Sequence, residues 1–229
     1  MRLVAIEDLK PGLILGKTVV GNQGQILLRQ GVKLTAGYIQ YLENYSFTAV
    51  YISSGRGVVV EDVVSDETRL RALRETRRVL AKVKRGAPLE VGEINKVLVA
   101  VIDELLLQDD VMVNLVDLRS FDEELFGHSV NVAILAVLAG MENNFQKEKL
   151  KDLAQAALLH DLGYLFTAEK NSAEHVHLGL DFLRKSGLKA SVLEPIFQHH
   201  ERWDGNGYPQ RLKGAEINEL ARIIQVVNV

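Results

Sequence analysis

Cysteine is absent from this 229-residue chain. A disulfide scaffold, a thiolate zinc site, an iron–sulfur cluster and a cysteine nucleophile are therefore excluded. Long apolar runs are missing too. The longest uncharged one, 132–141, falls far short of the roughly 18 residues a spanning helix needs. Near the start, Glu7 and Asp8 stand where a signal peptide requires its apolar stretch. A cytoplasmic protein is expected. No sign of charge dominates: 27 basic and 30 acidic side chains leave −3, which gives no global field for DNA or an anionic membrane. What the chain does have is 47% hydrophobic residues, enough to fill a sizeable core and to exclude a disordered chain. Its length suits one or two domains.

The texture of the chain changes once. Residues 1–57 read as a small β-rich domain. Lys10-Pro11-Gly12 marks a turn, and the runs 13–20 and 25–28 flank Gly21-Asn22-Gln23-Gly24 as a hairpin. Thr35 can cap a short helix, and 49–52 gives a last strand. Ser53-Ser54-Gly55-Arg56-Gly57 is the best boundary. Beyond it the patterns are helical, so the expected fold class is α+β: the small domain, a helical linker or start of a bundle over 58–118, and an all-α bundle over 119–229.

Within 69–85 stand eight basic side chains and one acid, which read first as a solvated connecting helix and second as a basic face for an acidic partner. Ile94, Val97, Leu98, Val101, Ile102, Leu105 and Leu106 form the apolar face of the next helix. Further helices are expected from Asp122, over 148–159, 173–185 and 188–199, and from Glu216 onward. The last nine residues, ARIIQVVNV, include six apolar ones and sit mid-helix by pattern, which suggests a piece of a longer protein.

All six histidines lie between 128 and 200. Random scatter would place them so about one time in a thousand. Glu124 and His128, four apart, share a helix face, and His128 continues the apolar side through Val132. Asp161 falls on the stripe of Leu150, Ala154 and Ala157. A lone inward histidine is usually a core residue, a reading that fits poorly when several helix positions converge. Imidazoles and carboxylates without thiolate suit iron, manganese or zinc. A bridging carboxylate such as Asp161 would suit two metals about 3.5–4 Å apart.

These residues carry a resemblance. His128-Ser129-x-Asn131-Val132, His160-Asp161-Leu162-Gly163, His175-x-x-x-Gly179 and the run His199-His200-Glu201-Arg202-Trp203-Asp204-Gly205-Asn206-Gly207-Tyr208-Pro209 resemble the HD-GYP family. That family is a subgroup of the HD hydrolases, known as bacterial cyclic di-GMP phosphodiesterases. Residues 1–55 are similar, more weakly, to the small domain that often precedes such modules. The resemblance implies that His128, His160, Asp161, His175, His199 and His200 hold two divalent metal ions, iron or manganese. It assigns catalysis to Asp161 and His160, and a third metal where Glu124 joins. It places Gly205, Gly207, Tyr208 and Pro209 in a loop that handles substrate and contacts GGDEF-domain partners. His177 matches no ligand and is expected to be exposed. A homodimer is a further expectation.

Two positions depart from the family. Tyr164 replaces a lysine that contacts substrate phosphate, removing a charge-assisted contact of about 1.5–3 kcal/mol. Asn228 replaces a metal-binding aspartate and offers only a neutral oxygen. The stretch between Asp161 and His175 is also short. The leading expectation is hydrolysis of cyclic di-GMP to pGpG or GMP. A degenerate module that binds the nucleotide or docks a GGDEF partner is the alternative, and a hydrolase of another nucleotide is the third.

Overall fold

The computed structural model describes residues 1–21, 25–45, 47–53, 64–107, 125–167 and 173–228. The chain divides into two compact units, Met1–Asp62 and Val63–Val229. The boundary expected at 53–57 falls, after Ser53, outside the described residues, as do 22–24 of the expected hairpin loop.

Among its described residues the first unit holds two antiparallel strand pairs and one α-helix. Strand β1 (Arg2–Ala5) and strand β2 (Val19–Val20) are followed by β3 (Ile26–Leu28), helix α1 (Ala36–Asn44) and β4 (Ala49–Ile52). β2 pairs with β3 as the hairpin pattern predicts. β1 is a strand the sequence reading missed. Its partner is β4, with Val4 opposite Val50, and pairing across so many residues leaves no local turn signal. The expected strand over 13–20 is mostly irregular, with single bridges at Ile14 and Leu15 before β2. The Thr35 hydroxyl accepts from the Tyr38 N–H and caps α1. Leu15, Leu34, Leu42, Val50 and Ile52 form this unit's own core.

The second unit is helical among its described residues. Helix α2 (Asp66–Lys84) is capped by Ser65 and stops at Gly86, whose φ of 89° no β-carbon favours. It is not the solvated connector expected: Leu70, Leu73, Thr76, Val79, Leu80 and Val83 are buried. Its outer basic side chains partly pair, Arg78 with Glu75 and Glu93, and Lys82 with Glu90. Helix α3 (Val91–Leu105) buries Ile94, Val97, Leu98, Val101, Ile102 and Leu105, six of the seven expected, while Leu106 ends exposed. Each such burial contributes roughly 1.5–3 kcal/mol relative to exposure.

Helix α4 (Leu125–Glu142) is the central element. Val130, Val132, Ala133, Ile134, Ala136, Val137 and Leu138 are all buried, so the single inward face expected is instead apolar nearly all round. The helix packs against α2, α3 and helix α5 (Lys147–Leu159). Buried Arg69 on α2 donates its Nη1 to Asn131 on α4 at 3.1 Å. A short 3-10 turn (Leu162–Leu165), helix α6 (His175–Leu183), helix α7 (Ala190–Gln198, with Pro195 inside) and helix α8 (Glu219–Val227) follow. No helix among the described residues is long and apolar enough to cross a membrane.

Candidate metal centre

The expected ligands gather where helices end. His160 and Asp161 follow the last residue of α5, His199 and His200 that of α7, and Asn228 that of α8. A helix C-terminus carries partial negative charge, which favours a cation there. His175 opens α6, and His128 lies one turn into α4. Gly163 explains how α6 comes so close: a β-carbon there would sit 1.8 Å from the His175 carbonyl oxygen.

Asp161 stands between two sets of imidazoles. Its Oδ2 lies 3.2 Å from His160 Nε2 and 3.8 Å from His128 Nε2. Its Oδ1 lies 3.4 Å from His175 Nε2 and 3.5 Å from His199 Nε2. Two overlapping groups of donors result, each drawn within 4.8 Å: His128, His160 and Asp161, and Asp161, His175, His199 and His200. His160, His175 and His199 are fully buried or nearly so.

The ring tautomers are set from behind. His160 Nδ1 lies 2.7 Å from the Ala157 carbonyl oxygen, and His199 Nδ1 lies 2.6 Å from that of Ile196. Each ring donates its Nδ1–H three residues back, which turns Nε2 toward Asp161. Two further rings are held by stacking. Tyr164 lies on His175, with centroids 4.0 Å apart, and Tyr208 lies on His200 at 4.7 Å.

Burial alone would push Asp161 up, yet the charge of His160 and the approach of His175 and His199 outweigh it and hold the carboxyl far below its usual range. Burial works against His160 as well, but the Asp161 charge beside it prevails and raises this imidazole. Burial lowers His128 and His199. Burial and the neighbouring His199 and His175 bring His200 down to about 3. Burial, with the Asp161 charge, pushes the Tyr164 phenol up to about 12, so it remains a donor.

The residues fit a cation. Asp161 Oδ1, His160 Nε2 and His200 Nε2 are buried without a well-aligned hydrogen-bond partner. Orphaned buried polar atoms are costly unless something else binds them. Here they belong to nitrogen and oxygen donors facing one another. The Asn228 side chain stands close enough to His128 and His160 to favour the protonated form of both. Glu124 lies outside the described residues. His177 is exposed, edge-on to Phe197, as expected.

A cleft of about 650 Å³ opens beside the centre, lined by His199, His200, Gly207, Tyr208, Asn228 and Trp203 among others. Gly205 and Pro209 turn the same loop. The sequence reading gave no role to Glu201, which organises that loop. Its buried carboxylate accepts the backbone N–H groups of Gln210, Arg211 and Leu212 at 2.5, 3.1 and 2.9 Å. A β-carbon at Gly207 would sit 2.4 Å from the Glu201 α-carbon, so only glycine lets the loop fold back. The available signal was an acid beside two histidines. The Ala157 and Ile196 carbonyls gave none, since any residue supplies them.

Comparison with known proteins agrees with this architecture. The HD domain family matches residues 125–228. The chain is 32% identical over 146 residues to the 3'3'-cGAMP-specific phosphodiesterase 1 of Vibrio cholerae, covering 56% of this chain and 32% of that protein. It is 34% identical over 111 residues to the cyclic di-GMP phosphodiesterase PdeB of Borreliella burgdorferi, covering 42% of this chain and 29% of that protein. The chain thus spans about a third of the length of these curated relatives. Among solved structures, Bd1817, an HDG"Y"P protein from Bdellovibrio bacteriovorus, shares the fold. Its TM-score is 0.60 at 15% identity, over 99% of this chain and 86% of that one.

Proposed function

We propose, from the premise that residues 125–228 are an HD domain, that this chain is a metal-dependent phosphodiesterase that cleaves cyclic di-GMP to pGpG or GMP. One observation carries the reading: the two oxygens of Asp161 face separate sets of imidazoles, the arrangement a carboxylate shared by two cations requires. His128 and His160 would serve one cation, and His175, His199 and His200 the other. Iron or manganese held there would supply Lewis acidity to the phosphoryl oxygens and activate a water at neutral pH.

The chain's own groups do the rest. Asp161 stays ionised, and His199 and His200 stay neutral, so these donors are ready at neutral pH, while His160, raised beside Asp161, gives up its proton to a binding cation. The water oxygen bonds to phosphorus as the bond to the leaving ribose oxygen breaks, and that oxygen takes up a proton. Tyr164 offers a neutral O–H where the family has a cation. Gly205, Gly207, Tyr208 and Pro209 shape the wall along which the substrate lies. Asn228 lends an amide oxygen and orients His128 and His160. We read Met1–Asp62, whose described residues hold no such donor cluster, as a separate regulatory domain.

The test is metal analysis of the purified protein, with incubation in manganese or iron and chromatographic detection of pGpG or GMP. Parallel incubation with 3'3'-cGAMP distinguishes the two substrates. Asp161→Ala should lose both metal and turnover. Less than one metal per chain in the unsubstituted protein, or turnover retained by Asp161→Ala, would overturn the reading.

A further inference from the structure

Trp203 is the only tryptophan of the chain and is 63% exposed. An exposed indole normally costs hydration free energy, and this one is not on a loose tip. Its carbonyl accepts from the Gly214 N–H at 3.1 Å, Gly205 N–H bonds back to Arg202 at 2.8 Å, and the Asp204 carboxylate holds both Arg202 and the Asn206 N–H. The ring therefore has a fixed platform. It lines the same cleft as His199, His200 and Tyr208. The guanidinium of Arg222, on α8, lies over it at 5.8 Å from the ring centroid, and the buried Arg222 Nε has no hydrogen-bond partner.

A rigid aromatic face beside a phosphate-handling centre has one natural ligand chemistry, the flat face of a nucleobase. The guanidinium of Arg222 supports the ring through a cation–π contact. We propose that Trp203, supported by Arg222, is the purine-stacking platform of this cleft, holding one base of the substrate while its phosphodiester lies toward His199 and His200. The inference rests on the phosphodiesterase reading and deepens it, because it assigns base recognition to residues separate from the metal ligands.

The test uses the metal-loaded protein and two probes that are not turned over, GMP and ribose 5-phosphate, which lacks the base. Both are titrated by calorimetry, and Trp203 fluorescence is followed in parallel. GMP should quench the indole saturably and bind more tightly than ribose 5-phosphate, and Trp203→Ala should shrink that preference by roughly 5- to 150-fold. Trp203→Phe should retain part of it, and Arg222→Gln, which removes the cation from the ring, should lower it less than Trp203→Ala does. Metal content measured on each variant separates loss of stacking from loss of the fold. Equal affinity for the two probes, or an unchanged preference in Trp203→Ala, would overturn the proposal. Hydrolysis of cyclic di-GMP together with such a result would overturn it alone. A Trp203-dependent preference for GMP without any hydrolysis would support it and overturn the phosphodiesterase reading instead.

Discussion

Tyr164 and His175 lie face to face, their planes 14° apart and their centroids separated by 4.0 Å. The residue that departs from the family pattern therefore has a task of its own. It fixes the plane of an imidazole whose Nε2 must point at Asp161. Tyr164→Ala should weaken metal binding about 10-fold, at the low end of what removing a supporting partner costs. Tyr164→Phe, which keeps the ring, should bind metal as the unsubstituted protein does. Metal titration with a competing chelator measures both.

Asn228 stands beside His128 and His160 without bringing charge. Asn228→Asp adds an anion beside two cation-binding rings and should raise metal affinity about 10-fold, equivalent to about 1.4 kcal/mol. Unchanged affinity by the same chelator competition would show that this side chain does not reach the cation.

Acid should destabilise the metal-free protein. His128, His199 and His200 all have lowered pKa values, so their contribution is present above about 6.5 and is lost as pH falls, for His200 down to about 3. His160 is raised, so its contribution is complete below about 6.5 and fades as pH rises through its own value. Three rings act against one, and the midpoint of urea unfolding should drop between about pH 6.5 and pH 4. A flat profile over that interval would contradict the burial assigned to these rings.

Glu201 should matter for the loop more than for the metal. Glu201→Gln replaces an acceptor of three backbone N–H groups by an amide and should cost about 1.5–3 kcal/mol in stability. Metal stoichiometry should persist while the Michaelis constant for cyclic di-GMP rises. Urea unfolding and steady-state kinetics check the two parts.

Much of the centre was legible because histidines and Asp161 are chemically distinctive and sit at fixed offsets from helix ends. The face of α3 was equally plain, since 3.6-residue periodicity is local. What escaped depends on contacts distant in sequence. β1 becomes a strand only against β4, and α4 is buried on nearly every side only because α2, α3 and α5 surround it. The basic residues of α2 drew attention to its outer surface and hid the apolar stripe beneath. Glu124, Asp122 and the first turn they were expected to form lie outside the described residues.

The two sides of Asp161 are not completed together as the chain is synthesised. His128, His160 and Asp161 have all been joined to the chain by residue 161, whereas the opposite set waits for His200. Synthesis runs from the N-terminus, so the two sets of donors emerge in that order. A nascent chain could thus capture one cation early, and the second would arrive as a late fastening of α6 and α7 onto a bundle already in place.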